Sequence, residues 1–435
     1  MNYNPEIFKA YDIRGIYGQD FDADFAFSLG AALVRYINKK CFLVAHDDRE
    51  FSAELADSIN RGITSAGGDV KFLGLATTPF FNFVFKKLGA NAGVMLTASH
   101  LGNEYVGFKI FGEGGVIIGL DSGLEQIKSI LIENKNIETA RYGGKIIKQD
   151  RQKLINLYTD FIIKEAGWEG KDAGQLKINV KSPPTAKYEL ALLLDKSGLK
   201  NSDQEFDISF EFDIDADRIY ISDSVGQTIR SDYITGLLVQ DKIRFWSKPK
   251  VVYDFRFSRG VLEKFVSWGI RIVRSKAGRA FMRRCMAKCR ADIGGELSGH
   301  IYFGRANYNE LPLLVVLRLL KIINKNKKNI GELVEQFKTW FNSGEINITK
   351  HRAWNMKQVF GKLKEKYKDG KVDELDGLTI EYDDPADDGA SWWFNLRPSN
   401  TEPVLRLVVE AKTKNLLEEK VGEISELISS YSTGG

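Results

Sequence analysis

The residues best suited to chemistry begin at Ser99, within the string VMLTASHLGNEYVGFK. Residues 94–96 predict a short buried strand, and a serine at the carboxyl end of such a strand stands where ligands bind in α/β proteins. This hydroxyl could carry a covalent intermediate, with His100 and Lys109 near it to handle protons and charge. The alternative interpretation is an ST-turn that closes the strand, with His100 in solvent.

Three alternating aspartates form a second string of this kind, DIDADR, which ends in Arg218. Carboxylate oxygens that converge on a loop can bind one hard cation, as Mg²⁺ requires. Three carboxylates this close are costly without a cation, because like charges raise one another's pKa. The string follows the apolar residues 208–210, so it favours a metal-binding loop over a solvated acidic turn. The predicted ligands are Asp213, Asp215 and Asp217.

Two polar clusters suit a phosphosugar. Near the N-terminus, YDIRG places Arg14 where a planar bidentate donor would fit a phosphate, the alternative being a surface arginine on an edge strand. The string GGELSGH supplies an acceptor, a hydroxyl and an imidazole in Glu296, Ser298 and His300, a mixture suited to sugar hydroxyls. The alternative is a glycine-rich turn. Lys276, which precedes a helix, could reach the same sugar.

A dense set of donors lies in the string RPSNTEP near the C-terminus. Its side chains and the N–H groups of the loop suit a phosphate dianion, and the alternative is a polar hairpin loop. Arg406, further along, is predicted at the edge of a sheet. The candidate donors are Arg397, Ser399, Asn400 and Thr401.

Alternating strands and helices must position these loops. The βαβαβ order that starts at Cys41 predicts a parallel or mixed sheet covered by helices. His46, at a strand end, is expected to be structural. A helix over residues 281–289 is predicted to expose most of its basic residues to solvent. The predicted strands are 41–45, 70–75, 92–96, 176–180, 219–221, 251–253 and 404–409, and the predicted helices are 79–88, 154–166, 188–194, 255–268 and 415–430.

Length and composition exclude several classes of function. A chain of 435 residues is expected to form two to four domains. Its formal net charge of +4 does not indicate bulk nucleic-acid binding and suits a small anionic substrate. Three cysteines without a CxxC pair, and no apolar signal core, indicate a reducing cytoplasm. The longest apolar run, near residues 311–320, is too short to span a bilayer and contains Arg318.

In their order and spacing, five strings resemble the motifs of the α-D-phosphohexomutase superfamily, and within it the phosphomannomutase/phosphoglucomutase family. Each string alone is weak evidence, whereas five in sequence order are highly specific. The resemblance covers nearly the whole chain. The strings are YDIRG (11–15), TASH with GFK (97–100 and 107–109), DIDADR (213–218), GGELSGH (294–300) and RPSNTEP (397–403).

The fold implied by the resemblance is α/β, with four domains in a heart-shaped architecture around a central cleft. The first three domains would be related α/β units with mixed sheets, and the last a smaller α+β domain. Each domain would give one loop to the cleft. The expected domains are residues 1–145, 146–248, 249–346 and 347–435.

The resemblance also implies a mutase that interconverts hexose 1-phosphate and hexose 6-phosphate, of mannose or glucose, through a hexose 1,6-bisphosphate. Ser99 would be the phosphoserine and would hold Mg²⁺ together with the three aspartates. Arg14, Lys109 and Arg218 would line the reacting phosphoryl group, with Lys109 or His300 as candidates for proton transfer. The sugar hydroxyls would contact Glu296, Ser298 and His300, and the phosphate that is not reacting would contact Arg397, Ser399, Asn400 and Thr401.

The chain departs from the family pattern at several positions. Leu101 and Gly102 replace the usual Asn-Pro, and Val106 replaces an asparagine, so the serine loop lacks the fixed φ of a proline. Ala216 replaces a glycine of the metal loop, which would cost about 1 kcal/mol or more at a position of positive φ. Arg279 stands in place of a histidine. No phosphoryl acceptor or carboxylate is lost, so we expect activity.

Three alternatives stay open at this point. They are a phosphoglucosamine mutase, a catalytically impaired relative that binds hexose phosphates, and a Mg²⁺ phosphatase whose loosened loop admits water to phospho-Ser99. The asparagine at position 400 and the YDIRG opening favour mannose or glucose phosphates. We expect hexose phosphates as partners, no nucleic acid or membrane, and a monomer or homodimer.

Overall fold

The computed structural model describes residues 3–38, 41–133, 143–245, 248–349, 356–384, 386–398 and 404–429. These residues form two compact units, which are described separately. The first unit contains Met1–Ile229 and Gly299–Lys327, and the second contains Arg230–Ser298 and Lys328–Gly435. Within the described part of the chain, every helix is too short or too polar to cross a bilayer.

The strands and helices of the described residues alternate along much of the chain. The strands are β1 Ile13–Ile16, β2 Cys41–His46, β3 Asp69–Leu75, β4 Ala92–Leu96, β5 Tyr105–Phe111, β6 Ile146–Lys148, β7 Ile178–Lys181, β8 Ile208–Phe212, β9 Ile219–Asp223, β10 Thr228–Ile229, β11 Lys250–Asp254, β12 Arg271–Ser275, β13 Ile293–Gly295, β14 Ile301–Phe303, β15 Asn309–Glu310, β16 Phe341–Asn342, β17 Ile346–Thr349, β18 Lys371–Asp373, β19 Leu378–Tyr382, β20 Trp392–Pro398 and β21 Val404–Ala411. The helices are α1 Ala23–Ile37, α2 Ser52–Ser65, α3 Thr78–Lys87, α4 Leu124–Glu133, α5 Arg151–Ala166, α6 Lys187–Ser197, α7 Ser231–Lys242, α8 Arg259–Ser267, α9 Arg279–Cys289, α10 Pro312–Asn326, α11 Ile330–Val334, α12 Met356–Lys366 and α13 Lys414–Ser429.

The first sheet of the first unit is mixed, with the strand order β1-β5-β4-β2-β3-β6. Strand β2 is parallel to both β3 and β4, while β5 runs antiparallel to β4 and to β1. The continuous apolar sequence of β2 fits its position, because a central strand of an α/β sheet is covered on both faces. Since β2 and β4 are parallel, the residues that follow them reach the same edge of the sheet.

The second sheet of the first unit has the order β10-β9-β8-β7 and is also mixed. Strands β7 and β8 are parallel, and β8 and β9 are antiparallel. The aspartate string lies in the short connection between β8 and β9, so it joins two strands that are hydrogen-bonded neighbours. The first unit also contains helix α10 and the β14–β15 hairpin.

The second unit contains two groups of strands. Strand β11 lies between β12 and β13 and is parallel to both. The C-terminal strands are antiparallel, in the order β16-β21-β20-β19-β18, and β17 pairs with β21. Helices α12 and α13 bury apolar residues such as Leu363 and Ile428 in the core of this sheet. Mixed sheets followed by an antiparallel C-terminal sheet confirm the predicted fold class.

Two expectations about local structure were wrong. The helix predicted over 255–268 begins at Arg259, because Ser258 caps its N-terminus through a hydrogen bond from the Gly260 N–H. Arg406 does not lie at a sheet edge, since β21 pairs with β20 on one side and with β17 on the other. Most of the basic residues over 281–289 are exposed as predicted, since Arg284 and Lys288 reach solvent, whereas Arg283 lies with Arg279 on the buried side of α9. The four domain boundaries and the central cleft stay predictions.

Candidate active site

Ser99 lies in the connection between β4 and β5, and its side chain points to the aspartate string. Its hydroxyl donates a hydrogen bond to Asp213 Oδ2 over 3.2 Å. The Ser99 N–H donates to Thr97 Oγ1. The ST-turn given above as the alternative interpretation is therefore present together with the hydrogen bond from Ser99 to Asp213. The φ of Ser99 is 56°, a left-handed conformation that costs a non-glycine residue about 1–2 kcal/mol. Strain of this kind is often found at functional sites.

Lys109 reaches the same place from the neighbouring strand β5. Its Nζ lies 2.6 Å from Asp215 Oδ2 and 2.6 Å from Asp217 Oδ2, and all three side chains are buried. The register of the sheet explains this position, because Lys109 pairs with Met95 on the strand that leads to Ser99. The predicted nucleophile and the predicted lysine therefore meet at the same carboxylates.

The three aspartates fit a metal ion. One oxygen from each of them lies within 4.8 Å of the others, and all three side chains are buried. Asp215 Oδ1 accepts no hydrogen bond from the described residues, although it is buried. Burial, followed by the charges of Asp217 and Asp215, raises the pKa of Asp213 well above its usual range. A divalent cation would give Asp215 Oδ1 a partner and would reduce the repulsion among the three carboxylates, because carboxylate oxygens are the ligands that hard cations prefer.

The backbone of the aspartate loop is held in an unusual conformation. Ala216 has a φ of 51°, so the expected cost of alanine in place of glycine applies at this position. The loop is tied to helix α3 by Thr78, whose N–H donates to Asp215 O over 2.9 Å and whose hydroxyl donates to Asp215 Oδ2. Sequence reasoning did not predict a role for Thr78, because its local pattern indicates only the start of a helix.

Two arginines and a histidine surround this cluster. Arg218 donates its N–H to Asp213 Oδ1 over 3.0 Å, and its Nε lies 3.7 Å from Asp213 Oδ2. Arg14 is paired with Asp12, and its charge also acts on Asp215. Although His100 reaches solvent, desolvation by the surrounding protein and then the charges of Arg218 and Arg14 lower its pKa to about 4. The His100 ring is therefore neutral near pH 7.

His300 belongs to the same group of residues. Its Nε2 accepts a hydrogen bond from Arg218 Nε over 3.1 Å. Because a guanidinium can only donate, the proton of a neutral His300 ring lies on Nδ1. That nitrogen is 3.7 Å from Asp217 Oδ1 and 3.6 Å from Glu310 Oε1. His300, predicted as a sugar ligand and as a candidate for proton transfer, is thus placed beside a metal-ligand candidate.

The other predicted sugar-binding residues lie in the second unit. Glu296 is buried and accepts a hydrogen bond from the Gly278 N–H, at the start of α9. Lys276 is exposed, with its Nζ 5.7 Å from the centre of the Phe281 ring. Ser298 is half-buried on the same loop as Glu296. The contact of these residues with a sugar stays a prediction.

Arg397 takes part in a cluster of guanidinium groups in the second unit. It faces Arg406 across the β20–β21 pair, and both approach Glu345, at 3.5 Å and 3.0 Å. Arg256 Nη1 lies 3.7 Å from the same carboxylate. Burial, followed by the charge of Arg256, lowers the pKa of Arg397. Sequence reasoning missed Arg256, Arg406 and Glu345. Ser399, Asn400 and Thr401 lie outside the described residues.

Glu189 gives a prediction about stability and pH. It is buried on α6, accepts hydrogen bonds from the N–H and hydroxyl of Thr77, and faces Arg151 on α5. Burial raises its pKa to about 7. Since an unfolded glutamate ionises near pH 4.5, this group lowers the free energy of unfolding as pH rises from about 4.5 to 7. Glu189→Gln is therefore expected to stabilise the protein at pH 8, by up to about 3 kcal/mol, and much less at pH 5.

Urea unfolding of Glu189→Gln at pH 5 and pH 8 checks this expectation. The exposed Glu125 on α4 supplies a matched control, because Glu125→Gln removes a carboxylate that water already solvates. A difference between Glu189→Gln and the parent that is the same at both pH values would contradict the prediction.

Comparison with known proteins identifies the family. Three models of phosphoglucomutase/phosphomannomutase domains match the chain: alpha/beta/alpha domain I at residues 5–138, alpha/beta/alpha domain III at residues 230–340, and the C-terminal domain at residues 361–427. These matches follow the order of the strings that contain Ser99, Glu296 and Arg397.

Relatives match the chain from end to end. A phosphomannomutase of Methanocaldococcus jannaschii is 34% identical over 97% of each chain, and one of Escherichia coli is 29% identical over 97% of this chain and 98% of its own. A crystal structure of a phosphoglucomutase/phosphomannomutase family protein from Burkholderia thailandensis has a TM-score of 0.83 at 23% identity, covering 100% of this chain and 99% of that one. The chain belongs to the α-D-phosphohexomutase superfamily, in its phosphoglucomutase/phosphomannomutase family. By this full-length similarity it is an isomerase of the phosphomannomutase type.

Proposed function

We propose that this enzyme interconverts hexose 1-phosphate and hexose 6-phosphate, with mannose or glucose as the sugar, through phospho-Ser99 and a hexose 1,6-bisphosphate. The observation that carries the proposal is the hydrogen bond from the Ser99 hydroxyl to a buried cluster of three aspartates. A hydroxyl beside a candidate cation site is the arrangement that phosphoryl transfer requires. The names of the full-length relatives support mannose phosphate as a substrate.

Each half of the reaction breaks one phosphorus–oxygen bond and forms another. The bond between phosphorus and Ser99 Oγ breaks as a sugar hydroxyl forms a new bond to phosphorus, which gives the bisphosphate. The proton of the sugar hydroxyl needs an acceptor, for which a neutral His300 ring is the candidate. Lys109, as the cation that pairs with Asp215 and Asp217, can donate a proton but cannot accept one. In the second half the other phosphate of the bisphosphate returns to Ser99, and the proton returns to the free sugar oxygen. The product therefore carries on its other oxygen the phosphoryl group that came from Ser99, and Ser99 carries the one that the substrate brought.

The negative charge of phospho-Ser99 needs compensation. A phosphoserine carries about −1.5 to −2 charges at neutral pH. Arg14, Lys109 and Arg218 supply positive charge near the three aspartates. Asp213, Asp215 and Asp217, with a phosphate oxygen on Ser99, would hold Mg²⁺, which when bound would neutralise charge on the phosphoryl oxygens.

The second unit would hold the rest of the substrate. Glu296, Ser298 and Lys276 would bind sugar hydroxyls there, and His300 of the first unit is the fourth proposed sugar ligand. The guanidinium groups that approach Glu345 would attract the phosphate that is not reacting, because arginine binds phosphate through paired N–H donors. Arg397 would act there together with Ser399, Asn400 and Thr401. Such a site must accept either end of the bisphosphate.

The test is the intact mass of the purified enzyme before and after incubation with glucose 1,6-bisphosphate and Mg²⁺. We expect the mass to increase by one phosphoryl group, and peptide mapping to place that group on Ser99. Coupled assays with mannose 1-phosphate, glucose 1-phosphate and glucosamine 6-phosphate then identify the sugar. Release of free phosphate in place of isomerisation would indicate a phosphatase. Binding without any turnover would indicate an inactive relative, and either result would reject the mutase proposal.

A further inference from the structure

The guanidinium group of Arg49 lies beneath the loop that carries Ser99. Its Nη2 donates to Ser99 O over 2.6 Å and to Leu101 O over 2.8 Å. Its Nη1 donates to Tyr105 O over 2.9 Å and to Gly102 O. One buried side chain thus hydrogen-bonds three carbonyl groups of the loop between β4 and β5 and a fourth, that of Tyr105, at the start of β5.

Arg49 is itself fixed by Asp47, the residue that follows β2. Arg49 Nε donates to Asp47 Oδ2 over 3.0 Å, and the Ser52 hydroxyl donates to Asp47 Oδ1 over 2.6 Å. The Asp47 N–H donates to Leu96 O, the last residue of β4. The arginine is therefore held from the adjacent strand, and its position depends on the sheet rather than on the loop.

The second unit repeats this arrangement at its own candidate loop. Strand β11 lies parallel to β13 as β2 lies parallel to β4, and it ends in Asp254, followed two residues later by Arg256. Arg256 Nη2 donates to Asp254 Oδ2 over 2.6 Å. The same carboxylate accepts the N–H of Leu297, next to Glu296, over 2.9 Å. An Asp-x-Arg pair at the end of a central strand thus contacts the neighbouring loop in both units, through the arginine in the first unit and through the aspartate in the second.

We infer that Arg49 is a positioning residue for phosphoryl transfer, which holds the serine loop so that the Ser99 hydroxyl faces Asp213. Its described contacts are with backbone carbonyls and with Asp47, so it acts through the loop. The loop needs such support, because Ser99 has a left-handed φ and Gly102 restrains the backbone less than any other residue type. The kinetic part of this inference rests on the proposed function, whereas the structural part does not.

Arg49→Ala and Arg49→Lys test the inference. Both variants are expected to lower kcat by about a hundredfold, the scale on which a misplacement of about 1 Å acts, while KM stays within about threefold. Lysine is not expected to replace the guanidinium group of Arg49, because one ammonium group cannot reach four carbonyl groups. Added guanidinium chloride, at a concentration that leaves the parent folded, is expected to restore part of the kcat of Arg49→Ala and none of that of Arg49→Lys.

Hydrogen exchange gives a readout that does not depend on catalysis. The amides of residues 99–105 are expected to exchange faster in both variants than in the parent. Arg61→Ala on α2, which removes an exposed ion pair with Asp57, is the control and should match the parent in every measurement. If Arg49→Ala does not fold, the same measurements on Arg49→Lys decide the question.

The possible results separate the two proposals. A kcat within about threefold of the parent, a change confined to KM, or unchanged exchange of the loop would overturn the positioning role. If the parent itself fails to phosphorylate Ser99, the proposed function falls, and the exchange experiment alone decides whether Arg49 orders the loop.

Discussion

Ser99→Ala is expected to lower mutase turnover by at least about a thousandfold and to abolish labelling by the bisphosphate. The reason is that the hydroxyl is the proposed acceptor, and loss of a covalent nucleophile has effects of this size or larger in other enzymes. Alanine tolerates the left-handed backbone no better and no worse than serine, so the loop should keep its conformation. Turnover and intact mass, measured with glucose 1,6-bisphosphate present, provide the check.

The control for this variant is Ser65→Ala, at the end of α2. The Ser65 hydroxyl donates to the carbonyl of Gly62 within its own helix, so the variant should turn over like the parent. Phosphorylation that persists in Ser99→Ala would show that another side chain is the acceptor. In that case the contact between Ser99 and Asp213 would have a structural role alone.

Asp215→Asn is expected to weaken the activating metal by on the order of 100-fold or more. Changes at residues that only support metal ligands cost about 10–100-fold, so removing charge from a ligand should cost at least as much. Asparagine keeps a carbonyl oxygen that can accept from Thr78, and the fold should therefore survive. Titration of activity with Mg²⁺, and the increase in melting temperature caused by Mg²⁺, measure the effect in two independent ways.

Asp223→Asn supplies the matched control for the metal site. Asp223 lies at the end of β9, on the strand that follows the aspartate string, and its carboxylate accepts N–H bonds within a turn. This variant should need the same concentration of Mg²⁺ as the parent. An Asp215→Asn variant that is activated by Mg²⁺ like the parent would mean that the cation binds elsewhere.

The sequence predicted most of the elements, and the candidate residues that it singled out in the first unit lie close together in the structure. Short apolar runs at residues 41–45 and 92–96 and helical spacing over 154–166 appear as β2, β4 and α5, because buried strands and amphipathic helices leave regular patterns. Ser99, Lys109 and the aspartates were found because strings of unusual polar residues end apolar strands.

The residues that sequence reasoning missed have ordinary local patterns. Arg49, Thr78 and Glu345 act on residues that are distant in the chain, and their partners become apparent only when the strand order is known. Arg406 was misplaced for the same reason, since periodicity does not show which neighbours a strand has. The burial of Arg279 and Arg283 on α9 was also missed, because the long stems of arginines can pack against apolar surface.

The left-handed φ of Ser99 has a consequence for which amino acids this position accepts. A β-branched residue is a severe outlier at positive φ, whereas an unbranched one is only uncommon there. Of the two aliphatic alcohols among the amino acids, serine therefore fits this backbone better than threonine. We expect threonine at position 99 to require a change in the turn that presents the hydroxyl.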